Sequence, residues 1–220
     1  MVIHDIVQRS PEWVAIRLGK LTASRAGDML ATTKSGWSTS RRNLLMQLVL
    51  ERVTGQSQEN TYQTQAMKDG IDREPAALAL YQEMTGQSVQ AIGFCSHDTL
   101  MAGCSPDGFI GEDGLLSIKS PIAATHWQYL KTGVIPDDYL KQILHEMWIT
   151  GRSWCDWLSY QPYFPEHLRA KLLRVMRVDA DVAVYDKQAR AFLVEVDAEF
   201  DSIKTLSNVT AVFREMTHGV

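Results

Sequence analysis

Cysteine is scarce in this sequence. The 220 residues contain three, Cys95, Cys104 and Cys155, with no CxxC pair and no zinc-ligand spacing. That spacing excludes a zinc ribbon and a thiol redox motif. An odd, sparse count fits a reducing compartment, and all three are expected as small buried core residues. No apolar run approaches the ~20 residues of a membrane span. The first residues, MVIHDIVQRSPEW, lack a basic patch followed by an apolar stretch, so no signal peptide is expected and the cytoplasm is the expected location. Excess positive charge is lacking too: 22 Lys and Arg face 26 Asp and Glu, a net charge of −4. This argues against a surface coated in non-specific nucleic-acid affinity. It leaves room for acidic metal ligands and for basic groups confined to one channel. The six histidines show no HExxH or paired metal spacing, and there is neither a P-loop nor a GxGxxG, which argues against nucleotide-driven chemistry. Internal repeats, low-complexity tracts and linkers rich in Gly, Ser or Pro are missing as well.

What is present is ordinary for a globular protein: 45% hydrophobic and 22% charged residues. Residues 1–220 read as one domain, a length that a single core can serve. Ser10-Pro11-Glu12 is a helix start, with an N-cap, Pro at the first helical position and an acid in the first turn. That helix should run to Leu18, and Thr22 to Leu30 should form a second. Ser38 to Thr54 has Leu44, Leu45, Leu48, Val49 and Val53 at helical spacing, closed by Gly55. Gln65 to Thr85 is helical and closed by Gly86, with a break expected near Gly70 and Pro75. Then the character changes. Val89 to Phe94, Leu100 to Cys104 and Leu115 to Ser120 are short apolar runs, expected as strands of one sheet. Ile122 to Lys131 and Asp138 to Thr150 return to helix. Trp154 to Tyr160 and Leu172 to Val178 are two more strands, and Asp181 to Met216 is a long final helix. This order indicates an α/β or α+β chain with a mixed sheet.

The chemically informative stretch is Cys104-Ser105-Pro106-Asp107-Gly108 followed by Gly114 to Pro121. A Pro-Asp-Gly turn exposes its carboxylate. In the strand that follows, period two puts Leu116 and Ile118 on one face and Ser117 and Lys119 on the other. Lys119 can therefore reach Asp107 across the hairpin. Asp98 lies nine residues before Asp107 and is a candidate for the same cluster. Phosphodiester hydrolysis uses such groups: a hard divalent cation takes oxygen ligands and activates water, and a lysine beside it orients or deprotonates that water.

Several segments, in order, resemble the λ-exonuclease-like (YqaJ-type) viral recombinases, a branch of the PD-(D/E)xK nucleases. They are Arg17-Leu18-Gly19-Lys20-Leu21-Thr22-Ala23-Ser24, Gly70 to Glu74, the CSPDG and IKSP block, Asp138-Tyr139-Leu140-Lys141-Gln142, and Met147-Trp148. The resemblance implies an α/β restriction-endonuclease-like core: a mixed central sheet flanked by helices, with helices at the N-terminus and a long one at the C-terminus. It implies a magnesium-dependent 5′-to-3′ exonuclease on double-stranded DNA ends, manganese substituting. The implied assembly is a homotrimeric ring, the implied partner is a single-strand annealing protein, and the implied setting is phage or prophage recombination in a bacterial host. It also implies roles. Asp107 and the Ile118 carbonyl are metal ligands, Lys119 is the catalytic lysine, and Asp98 and Glu74 complete the acidic cluster. Gln142 and Tyr139 position water or the scissile phosphate. Arg17 and Ser24 hold the 5′-phosphate, a task that suits an arginine fork and a hydroxyl.

One position departs from the pattern. The family core reads E-x-K, whereas this chain reads Ser117-Ile118-Lys119. Serine is neutral and short, a poorer ligand for magnesium than a carboxylate. Glu112 and Asp113 sit in the hairpin turn, too far along the strand to replace it. Three explanations stand open: the protein works with serine and recruits water or another acid, an inactivating change has been introduced, or the protein is a binding-only DNA-end clamp. A PD-(D/E)xK endonuclease is a further alternative. Outside this block, His145 and Glu146 are expected at a helix surface or core edge. Trp127, Tyr129, Trp148, Trp154 and Trp157 are expected in the core by default, with stacking on a frayed DNA end the lesser alternative. Arg41-Arg42, opening the third helix, suits a DNA-backbone contact as well as a solvated basic turn.

Overall fold

The computed structural model describes residues 1–59 and 64–217, with side chains to residue 203 and backbone alone beyond it. In chain order the elements are β1 (Val2–His4), α1 (Pro11–Arg17), β2 (Leu21–Thr22), a 3-10 turn (Ala23–Arg25), α2 (Ala26–Leu30), β3 (Thr32–Thr33), β4 (Gly36–Trp37), α3 (Thr39–Thr54) and α4 (Gln65–Thr85). They continue with β5 (Val89–Gln90), β6 (Phe94–Ser96), β7 (Ala102–Cys104), β8 (Gly108–Ile110), β9 (Gly114–Lys119), α5 (Ala123–Thr132), α6 (Asp137–Thr150), β10 (Trp154–Tyr160), β11 (Ala170–Met176) and α7 (Asp179–Thr217).

Local chemistry accounts for most helix ends. The Ser10 and Ser38 hydroxyls accept from the backbone N–H of Trp13 and Arg41, and the Thr64 hydroxyl accepts from Met67. Gly55 and Gly86 close α3 and α4 in the left-handed conformation, which glycine adopts without a Cβ penalty. No break occurs in α4. The helix carries Pro75 inside it and forgoes one hydrogen bond there. Its Ala77 and Tyr81 are fully buried in one apolar cluster with Leu116, Ile118 and Leu158 of the sheet, so tertiary packing holds it straight through. The second helix is also modified: Thr22 joins β2, and a 3-10 turn precedes a short α2.

The strands expected in one sheet fall into two. A five-stranded mixed sheet has the order β11-β10-β9-β8-β5, in which only β9 and β10 run parallel. A second sheet has the order β1-β6-β7-β2. The chain passes from one to the other at Ser105-Pro106-Asp107, between β7 and β8. Pro106 has no N–H to continue a ladder, so pairing stops there and Asp107 stands at the junction. Helix α4 covers one face of the five-stranded sheet. The other face packs Leu115, Cys155 and Trp157 in one cluster with Ile143 and Met147 of α6 and with Tyr185, Phe192 and Val196 of α7. Consecutive β9 residues alternate between the two clusters, Leu115 in one and Leu116 in the other. Ser117 and Lys119 therefore share the α6 side. The three cysteines are free and buried, and no helix among the described residues is long and apolar enough to cross a membrane.

Candidate active site

Asp107 is half-buried at the junction of the two sheets. Its Oδ2 accepts a 2.6 Å hydrogen bond from the Ile118 backbone N–H. This bond ties the Pro-Asp-Gly turn to β9 and places the carboxylate beside the strand that carries Lys119. Burial raises the Asp107 pKa and the Glu74 charge adds to the rise, while Lys119, the Ile118 N–H and Arg9 oppose it. Lys119 projects from the end of β9. Its Nζ lies 3.3 Å from Gln142 Oε1 and 5.1 Å from the centre of the Tyr139 ring. Both partners come from α6, one turn apart. An open cleft of about 380 Å³ brings together Arg9, Glu74, Asp107, Ile118, Lys119 and Tyr139. Glu74 enters it from α4 and accepts a 2.7 Å ion-pair hydrogen bond from Arg9.

Arg17 lies in a separate cleft with Lys20, Thr22 and Arg25. Its guanidinium stacks 3.8 Å over the Trp13 ring and donates to Glu59 at 3.2 Å. Ser24 is exposed nearby, its hydroxyl 3.4 Å from that of Thr22. The two clefts are linked through Trp13, whose Nε1 donates to Ser105 Oγ at 2.8 Å, two residues before Asp107.

Asp98 does not join the cluster. It sits in the turn between β6 and β7, and β7 runs from that turn toward Asp107, so the two acids lie at opposite ends of the strand. Asp98 is exposed and accepts from the Met1 amino group at 2.7 Å.

The YqaJ-like viral recombinase domain matches residues 12–153, a stretch that contains every one of these groups except Arg9. The chain belongs to that family. It is similar to an alkaline exonuclease (LHK-Exo) from Laribacter hongkongensis, at 38% identity and TM-score 0.84, covering 91% of this chain and 100% of that one. The same exonuclease in complex with dAMP matches at 39% identity, again with TM-score 0.84 and coverages of 91% and 100%. A phage-related exonuclease from Haemophilus somnus 129PT shares the fold at 11% identity and TM-score 0.67, covering 84% of this chain and 96% of that one. Among curated proteins there is no significant match.

Family membership leaves Ser117 unexplained, and the structure adds two residues that spacing did not reveal. The first is Glu146, expected at a surface or core edge but only 1% exposed. It lies one turn beyond Gln142 on α6, and its Oε1 accepts from Gln142 Nε2 at 2.9 Å. Its Oε2 is buried without a hydrogen-bond partner. Burial pushes its carboxyl up to about 7; Lys119 and the Gln142 hydrogen bond oppose the rise, and the Asp107 charge adds to it. The i, i+4 spacing from Gln142 was the available signal. The second is Arg9, whose φ of 70° is left-handed, the only positive φ of a non-glycine among the described residues. Such backbone strain gathers at functional sites. Neighbouring His145 is also fully buried rather than at an edge, its ring nitrogens bonded to the Tyr185 hydroxyl (2.6 Å) and the Gly103 carbonyl (3.0 Å).

The donor set suits a hard cation: carboxylate oxygens in a half-open cleft and a buried carboxylate oxygen with nothing bound to it. Among the described residues no three His, Cys, Asp or Glu side chains converge on one point. A cation here needs backbone and water oxygens besides the acids.

Proposed function

We propose that the protein is a magnesium-dependent exonuclease that degrades linear double-stranded DNA from the 5′ end, releasing mononucleotides and leaving 3′ single-stranded tails. The observation that carries this reading is the Asp107–Ile118 hydrogen bond, which sets a carboxylate beside Lys119 in an open cleft. The likeness to an alkaline exonuclease, one form of which holds dAMP, supports a nucleotide-sized product.

Asp107 and the Ile118 carbonyl would hold the cation, with Glu74 completing the acidic surround. When bound, magnesium or manganese polarises a phosphoryl oxygen and lowers the pKa of a bound water. Lys119 orients the attacking water and offsets charge that grows on the phosphoryl oxygens. Gln142 and Tyr139 fix the ammonium of Lys119 from the α6 side. Attack on phosphorus forms one P–O bond and breaks the P–O3′ bond. The proton lost by water ends on the departing 3′ oxygen. Arg17, with Ser24 beside it, holds the terminal 5′-phosphate, and the Trp13–Ser105 hydrogen bond relays its position to the Asp107 turn. A homotrimeric ring around the DNA would reconcile a net charge of −4 with nucleic-acid binding. The expected partner is a single-strand annealing protein, and the expected setting is the cytoplasm of a bacterial host carrying a phage or prophage.

Digestion of a 5′-phosphorylated linear duplex and a covalently closed circle with magnesium tests the reading. The linear duplex is expected to yield mononucleotides, its 3′-end label surviving longest, and the circle is expected to persist. Efficient cutting of the circle points instead to an endonuclease. Retention of linear DNA without digestion points to the second reading that Ser117 favours, a DNA-end clamp.

A further inference from the structure

We propose that Glu146 of α6 is the second acidic ligand of the cation held at Asp107, its carboxylate reaching the position that Ser117 leaves without one. This rests on the nuclease reading above and deepens it.

The first ground is the state of the carboxylate. Glu146 is almost fully buried, accepts one hydrogen bond from Gln142, and has its other oxygen buried with no partner. A carboxylate taken out of water with half its acceptor capacity unused is costly unless an opposite charge meets it. Lys119 acts on it through space but makes no direct bond to it, Gln142 standing between the two. A divalent cation between Glu146 and Asp107 supplies the missing charge and the missing partner together.

The second ground is register. The polypeptide leaves α6 at Thr150 and enters β10, which runs parallel to β9, with Trp154 opposite Gly114. The Ser153 N–H donates to the Asp113 carbonyl at 2.9 Å. The C-terminal end of α6 therefore lies by the start of β9, and the helix runs antiparallel to that strand. At its other end Gln142 meets Lys119. One helical turn from Gln142 to Glu146 covers about 6 Å, and two strand residues from Lys119 back to Ser117 cover about 6.6 Å. Glu146 thus comes level with Ser117. Ser117 is 2% exposed and on the α6 side, where a short side chain leaves room for an acid arriving from the helix. The register sets Glu146, on the helix beside β9, level with the strand position that lacks a carboxylate.

Binding of Mn²⁺ without DNA, by calorimetry and by electron paramagnetic resonance, tests this without reading activity. Wild-type protein is expected to bind Mn²⁺ and Asp107→Asn to lose it. Glu146→Gln, which keeps the Gln142 contact and the volume, is expected to weaken binding by at least about tenfold. The swap Ser117→Glu with Glu146→Ser is expected to recover most of that loss. In the unmodified protein, Mn²⁺ is expected to broaden the side-chain carboxyl resonances of Asp107 and Glu146 alike, a readout that needs no variant. A Glu146→Gln protein that binds as wild type does, or a Glu146 resonance that stays sharp while that of Asp107 broadens, overturns the assignment and leaves the nuclease reading standing. Wild-type protein that binds no Mn²⁺ overturns the metal site as a whole.

Discussion

Lys119 sits where two elements meet: β9 carries it, and Gln142 and Tyr139 of α6 hold its ammonium. Removing it deletes the group proposed to orient water and leaves the Asp107–Ile118 hydrogen bond, made to a backbone N–H, in place. Lys119→Met is expected to lower the turnover of linear duplex by on the order of 10²–10⁴-fold. Melting temperature and Mn²⁺ affinity should change little; a large loss of either would mean that the lysine is structural. Arg17 is proposed to act on the substrate end instead. A charge-assisted hydrogen bond to phosphate lost in Arg17→Ala costs about 1.5 kcal/mol or more, roughly tenfold. That loss is expected on 5′-phosphorylated ends and little on 5′-hydroxyl ends. Equal effects on both ends would remove Arg17 from phosphate recognition.

At the scale of elements, α4 and α6 bring Glu74, Gln142 and Glu146 to the site, and each is pinned by a buried polar contact. Asp156 of β10 is 1% exposed and accepts from Tyr81 of α4 at 2.7 Å and from Arg174 of β11 at 2.7 and 2.9 Å. Asp156→Ala leaves a buried tyrosine hydroxyl unpaired, and Arg174 is half-exposed, so water softens its share. The expected loss is about 2–4 kcal/mol of stability, measured by urea unfolding. An unchanged midpoint would show that α4 is held by apolar packing alone. In α6, burial holds the His145 pKa down to about 3, below its ordinary 6.5. Between those values the unfolded chain binds a proton that the folded protein refuses. Stability from His145 is therefore complete above about 6.5 and is lost as pH falls toward 3. Glu146 titrates in the opposite sense between 4.5 and about 7. The measurement therefore belongs in the Glu146→Gln background, in chelator. There the unfolding free energy should fall with acid, and the added change His145→Gln should flatten the slope. A slope unaffected by that change would assign the acid limb to other groups.

For the whole molecule, the arrangement that matters is two sheets meeting at one turn. Asp107 ends up between α1 with its Trp13–Ser105 link, α4 with Glu74, and β9 with Lys119. If three chains enclose DNA in a ring, light scattering should give a mass near three times 24.8 kDa. Digestion should also continue on one duplex when competitor DNA is added after it starts. A monomer that is equally processive would sink the ring.

The sequence by itself determined what is local. Ser10, Ser38, Gly55 and Gly86 mark helix ends because capping is a contact between near neighbours. The alternation of Leu116, Ser117, Ile118 and Lys119 puts lysine on the correct face because a strand has period two. Asp107 and Lys119 were legible as a pair because only eleven residues, the β8–β9 hairpin, separate them. The tertiary structure decided what depends on distant segments. The early strands divide between two sheets, β5 in one and β6 and β7 in the other, a result of which edges found partners. Asp98 was read into the site by its closeness in sequence to Asp107, but β7 carries it to the far end and Met1 pairs with it. Glu146 looked like an ordinary helix acid, since its burial comes from packing α6 against β7 and β10 and no local pattern encodes that packing. The site that appeared one carboxylate short along the strand has an acid facing it from the helix.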